Sequence, residues 1–149
     1  MKTLIVVLFL FVTSLSYSQI KSTAYTTAGL EIDSKYQTTA INGMASIDTQ
    51  YEIGDFSLGV VGMSYFKKEV PIFLGGSSAA WKFYRDPKNG NTVSISGRYL
   101  YGTEGEQLIG LGLGYEVINK VSILATGDWN YKEKTGIVQA GLGYTFATF

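Results

Sequence analysis

The chain has neither cysteine nor histidine among its 149 residues. Without cysteine there is no disulfide framework, no thiol nucleophile and no acylated lipoprotein anchor. Without histidine as well, serine–histidine triads and ordinary zinc sites are excluded. A one-sided charge is also missing: 12 basic residues balance 12 acidic ones, so nothing electrostatic points to nucleic acid or to strongly acidic partners. Proline is scarce, with 2 residues, whereas glycine reaches 18 and aromatics are frequent. Helix formers concentrate nowhere after the first twenty residues. This is the composition of strands and turns.

The one long apolar run is Leu4–Val12, preceded by Lys2 and followed by Ser16-Tyr17-Ser18. A membrane-spanning helix needs roughly 20 apolar residues, and this run is about half that length. A positive start, a short apolar stretch and a small-x-small site together predict a secretory signal peptide. The expected organisation is a signal peptide over residues 1–18 and a single domain over 19–149, with Gln19 as the first mature residue.

Period-two alternation runs through that domain and predicts eight strands. They fall at about Ile20–Ile32, Thr39–Ile53, Phe56–Phe66 and Phe73–Arg85, then around Val93–Tyr101, Ile109–Val117, Val121–Tyr131 and Val138–Phe146. In the second, Ile41, Ala45, Ile47, Tyr51 and Ile53 oppose Asn42, Ser46, Asp48, Gln50 and Glu52. In the sixth, Ile109, Leu111, Leu113, Tyr115 and Val117 oppose Gly110, Gly112, Gly114 and Glu116. The segment Lys67–Pro71 breaks the pattern, and Asp86–Asn91 carries the strongest turn signal. Strands of this length suffice for a tilted bilayer crossing, and an even count returns both termini to one end.

A soluble barrel turns its apolar face inward, a membrane barrel outward. The polar face here carries Lys21, Glu31, Asp48, Glu52, Lys82, Arg98, Glu116 and Asp128 with glycines between them. An eight-stranded interior is only wide enough for side chains to fill, so small residues must alternate with long ones. Mixed signs let Lys82 and Arg98 neutralise Asp48, Glu116 or Asp128, as buried charges require. The aromatics sort by height. Tyr51, Phe56, Trp81, Phe83, Tyr115, Tyr144 and Phe146 fall near the rim that carries the termini, and Phe66, Phe73, Tyr99, Tyr101, Trp129 and Tyr131 near the opposite rim. Two aromatic girdles around an aliphatic band suit a barrel in lipid.

Other motifs carry less. Glu104 and Glu106 sit beside Gly102 and Gly105 in what reads as a solvated turn. Gly110-Leu-Gly-Leu-Gly114 looks like a phosphate-binding run but continues a strand, so its glycines are read as lumen packing. Lys67-Lys68 and Lys132-Glu133-Lys134 read as polar loop caps, within reach of lipopolysaccharide phosphates in a second reading. The lumen charges form either a plug or a narrow ion path, and eight strands favour the plug.

The last ten residues, Ala140–Phe149, alternate apolar and small residues and place aromatics at Tyr144, Phe146 and Phe149. This ending resembles the assembly-signal strand of bacterial outer-membrane barrels, and the domain as a whole resembles the small eight-stranded group typified by OmpX and the OmpA transmembrane domain. Phe149 is out of phase with Tyr144 and Phe146, so either the strand ends early or a bulge restores the phase. The resemblance implies an all-β, eight-stranded antiparallel up-and-down transmembrane barrel in the outer membrane, inserted by periplasmic chaperones and the barrel-assembly machinery, with its termini on the periplasmic side. Known enzymes of that family resemble one another in using a catalytic histidine. A monomer without catalytic residues, cofactor or metal is therefore expected, structural or interaction-related in role. A narrow solute channel and a secreted soluble barrel holding an apolar ligand are the alternatives.

Overall fold

The computed structural model describes residues 18–67, 70–117 and 120–149. The signal peptide expected over residues 1–18 lies outside them but for Ser18, as do Lys68 and Glu69. Eight strands follow in order: β1 (Ser18–Ile32), β2 (Thr38–Ile53), β3 (Phe56–Lys67), β4 (Val70–Arg85), β5 (Thr92–Gly102), β6 (Gln107–Val117), β7 (Val121–Asn130) and β8 (Thr135–Thr148). Each pairs antiparallel with the next, and β8 pairs with β1, so no sheet edge is left open. Closure satisfies the backbone groups that lipid cannot.

Turn chemistry sets the connections. The two-residue turn Gly54-Asp55 uses a left-handed glycine (φ 61°) between the paired residues Ile53 and Phe56. At Asp86–Asn91 the Asp86 carboxylate accepts the Lys88 N–H at 2.9 Å, and Gly90 takes a positive φ. Asp33 caps the β1–β2 turn in the same manner, accepting from the Lys35 and Gln37 N–H groups. The predicted break at Lys67–Pro71 is narrower than expected, because Lys67 pairs with Val70 and Phe66 with Pro71. Phe73 turns its N–H toward the β5 side and donates to Thr103 Oγ1. Pro71 shares that side two residues earlier, beyond the last β4–β5 pair at Leu74 and Gly102, so its missing donor breaks no ladder bond.

Three bulges correct the simple alternation. On β2, Asn42 and Gly43 (φ 74°) oppose the single residue Ala28. The ladder slips by one residue there, and from Met44 to Ile53 the alternation runs as read, with the side chains of Ile41 and Asn42 outside the described ones. On β4 the extra residue is Phe83, which leaves both Phe83 and Tyr84 exposed on the outer wall. On β8 it is Phe146, between the Ser22–Ala147 and Thr23–Thr145 pairs. That bulge restores the phase of the last residue: Phe149 exchanges two 2.9 Å backbone hydrogen bonds with Ile20 and lies outward beside it.

The aliphatic face is outside. Val60, Leu111 and Leu142 are each more than 60% exposed at mid-height. A soluble barrel with this face around an internal ligand is thereby overturned. The wall is flanked by exposed Phe56, Trp81, Tyr115, Tyr144 and Phe146 at the terminal end and by exposed Phe66, Phe73, Tyr99, Tyr101, Trp129 and Tyr131 at the other. Phe56 and Trp81 stack at 6.0 Å. Tyr51 pairs with outward Ile20 and Leu58 at the terminal end, and its hydroxyl is buried without a hydrogen-bond partner among the described residues. So large an apolar surface around a partly ionic interior makes this a membrane barrel.

Candidate functional site

The lumen is the one interior this fold offers, and its contents lie in layers. Nearest the termini, Lys21 of β1 pairs with Glu116 of β6, and Lys82 of β4 with Glu52 of β2 at 2.8 Å. Neither pair joins neighbouring strands, so each is a chord across the barrel. Their side chains retain between 13 and 16% exposure. Lys21→Gln is accordingly expected to cost on the order of 1 to 2 kcal/mol, less than breaking a fully buried pair. Urea unfolding of the refolded barrel measures it.

Deeper in, Arg98 of β5 reaches Asp128 of β7 through two hydrogen bonds, Nε to Oδ1 at 2.8 Å and Nη2 to Oδ2 at 2.6 Å. This bidentate fork is the strong form of the interaction. Arg98 Nη2 also donates to Thr126 Oγ1, and Gln139 of β8 donates to Asp128 at 2.9 Å while accepting from Thr27 of β1. One network therefore links β5, β7, β8 and β1. The Asp128 side chain has no exposure at all.

Asp48 is held differently from the partner assignment the sequence suggested. It forms no ion pair with Lys82 or Arg98; Gln50 Nε2 donates to it at 2.7 Å and Ser78 Oγ at 2.9 Å. Lys82 instead takes Glu52 and none of Asp48, Glu116 or Asp128. A polar cavity of about 80 Å³ lies among these groups, bordered by Tyr25, Asp48, Ser78, Arg98 and Ser122. Among the described residues no group of acidic side chains is placed to hold a metal.

Glycine makes the chords possible. In register, Arg98 sits opposite Gly110, and Gly110 opposite Asp128. A Cβ at Gly110 would lie 1.9 Å from Asp128 Oδ1. Arg98 thus reaches its partner over a residue without a side chain. The same device recurs where the Tyr25 ring covers Gly143 on the way to Ser122, and where Gln50 and Ser78 flank Gly59.

Above this network the lumen turns apolar, which the polar-interior reading did not anticipate. Met44, Met63, Tyr65, Ile72, Leu74, Leu100, Leu108 and Ile137 form one buried cluster with Val61. Leu100 and Leu108 have no exposure. These positions carry a signal in the sequence, since each is an apolar residue out of phase with its strand's outward face. Beyond them, Glu106 is 2% exposed and accepts from Asn130 Nδ2. The solvated turn expected for Glu106 is corrected: it points into the barrel and is buried.

Layered lumen, closed sheet and apolar wall define the fold of the small eight-stranded outer-membrane barrels. Solved structures share it. The Neisserial surface protein A superposes with a TM-score of 0.57 at 16% identity, covering 87% of this chain and 97% of that one. The N-terminal barrel domain of Pseudomonas aeruginosa OprF gives 0.56 at 15%, covering 86% and 97%. Ail, the attachment invasion locus protein of Yersinia pestis, gives 0.54 at 10%, covering 89% and 99%. No protein-family model and no curated protein matches the sequence. The likeness is one of fold.

Proposed function

We propose that the chain is an integral outer-membrane protein that neither catalyses a reaction nor conducts ions, and serves a structural or interaction role in a Gram-negative envelope. The apolar layer across the lumen carries this reading. An ion entering beside Lys21 or Lys82 meets the Arg98–Asp128 network and then the Leu100–Leu108 layer, where nothing replaces its hydration. The fold it shares with barrels of that membrane supports the location. Insertion as a monomer by the barrel-assembly machinery, after escort by periplasmic chaperones, belongs to the same proposal.

Two measurements test it. Expressed in a Gram-negative host, the protein should appear in the outer-membrane fraction and migrate differently on a detergent gel when left unboiled. Reconstituted in planar bilayers, it should give no discrete conductance steps. Reproducible single-channel openings of the wild type would sink the non-conducting reading and restore the narrow channel.

A further inference from the structure

On the lipid-facing wall, β6, β7 and β8 leave a groove of about 550 Å³. Gly127 forms part of it, paired with Leu111 on one side and Val138 on the other. One step toward the end opposite the termini, Trp129 pairs with Ile109 and with Gly136. Neither glycine is needed by the backbone, since neither has a positive φ. Neither is needed by close packing, since a Cβ at either would meet nothing within 4 Å. What the two glycines do produce is the hollow, walled by Ile109, Leu111, Trp129 and Val138, each at least 45% exposed.

The hairpin above the groove is basic and fixed. Asn130, fully buried, accepts the N–H groups of Lys132 at 3.1 Å and Glu133 at 3.3 Å, and Lys134 takes a left-handed φ of 56°. Two exposed lysines then stand against one glutamate. Lys134 is two residues beyond Gly136, about 7 Å along the strand, the relation a phosphate bears to the start of its acyl chain.

We propose that this groove seats an acyl chain of lipopolysaccharide, with Lys132 and Lys134 meeting its phosphate. The choice of lipid rests on the outer-membrane reading, which turns the end opposite the termini toward the outer leaflet. Apolar chain and anionic head meet matching surfaces in the right order along β7 and β8. Trp129, in the groove wall, tops a hollow that a chain fills and that bulk at Gly127 closes.

Trp129 also supplies the readout, because the chain's other tryptophan, Trp81, lies at the opposite end of the barrel. In a Trp81→Phe background, refolded protein in a brominated detergent should have quenched Trp129 emission. Lipopolysaccharide added as mixed micelles should restore it saturably. Phosphatidylglycerol should do so at several-fold higher concentration, and phosphatidylcholine not at all. Gly127→Leu with Gly136→Leu should abolish the recovery while the unboiled gel shift stays intact. Lys132→Gln with Lys134→Gln should weaken it about tenfold, and Glu133→Gln should strengthen it. Equal recovery in the leucine variant, or with phosphatidylcholine, would overturn the proposal. So would a preference for phosphatidylglycerol, or recovery that tracks formation of a dimer. Fractionation away from the outer membrane would defeat the proposed location, whereas failure of refolded barrel to take up lipopolysaccharide would defeat the groove alone.

Discussion

Gly110→Ala should destabilise the barrel by about 3 to 5 kcal/mol, the range for breaking a buried ion pair by disturbing one partner. The added methyl would sit 1.9 Å from Asp128 Oδ1, 2.7 Å from its Cγ and 3.0 Å from the Gly127 carbonyl oxygen. Asp128 must therefore leave, and it is the common acceptor of Arg98, Thr126 and Gln139. Each donor would lose a buried charged acceptor. Urea unfolding of the refolded protein, followed by the gel shift, gives the value. Gly97→Ala is the control, since its Cβ would come no closer than 3.9 Å to any neighbour. A change within about 0.5 kcal/mol is expected there. Equal losses at Gly97 and Gly110 would show that glycine matters through strand propensity and not through the space it leaves.

Arg98→Ala attacks the same pair from the other side. It leaves the fully buried Asp128 carboxylate with only neutral donors, and a loss of about 3 to 5 kcal/mol is again expected. The double variant Arg98→Met with Asp128→Leu removes both charges and should recover most of the loss. A double variant as unstable as Arg98→Ala would mean that Thr126 and Gln139 depend on the pair for their own placement, and that the network behaves as one unit.

The strands and turns were legible because period two and turn chemistry are local. Asp86–Asn91 and Gly54-Asp55 announce themselves in a few residues, and the outward face from Phe56 to Phe66 runs as read. The bulges were less legible. Gly43 beside Asn42 is a bulge signal inside a strand, but nothing beside Phe83 announces that two residues will face one across the ladder, because that depends on the partner strand's register. Charge pairing was hidden for the same reason. Lys82 has several carboxylates on its face of the sequence, and only barrel closure puts Glu52 within 2.8 Å. The apolar layer was visible in part, as out-of-phase Met63, Tyr65, Leu100 and Leu108, but each looked like an isolated exception until closure stacked them at one height.

The chords across the lumen bear on how such a barrel comes to exist. The Lys21–Glu116 chord joins residues 95 apart, and across the closing β8–β1 seam Thr27 and Gln139 are 112 apart and Thr23 and Thr145 are 122 apart. No single hairpin contains any of these pairs. A half-curled sheet of the first five strands would therefore present Lys21 and Arg98 to hydrocarbon with Glu116 of β6 and Asp128 of β7 not yet arrived, at a cost of several kcal/mol for each exposed charge. Intermediates of that kind are sparsely populated in a bilayer, and insertion and closure must run together as one cooperative event. The ionic lumen works as a check on assembly: a sheet that meets itself in the wrong register leaves its charges mismatched and does not stay in the membrane.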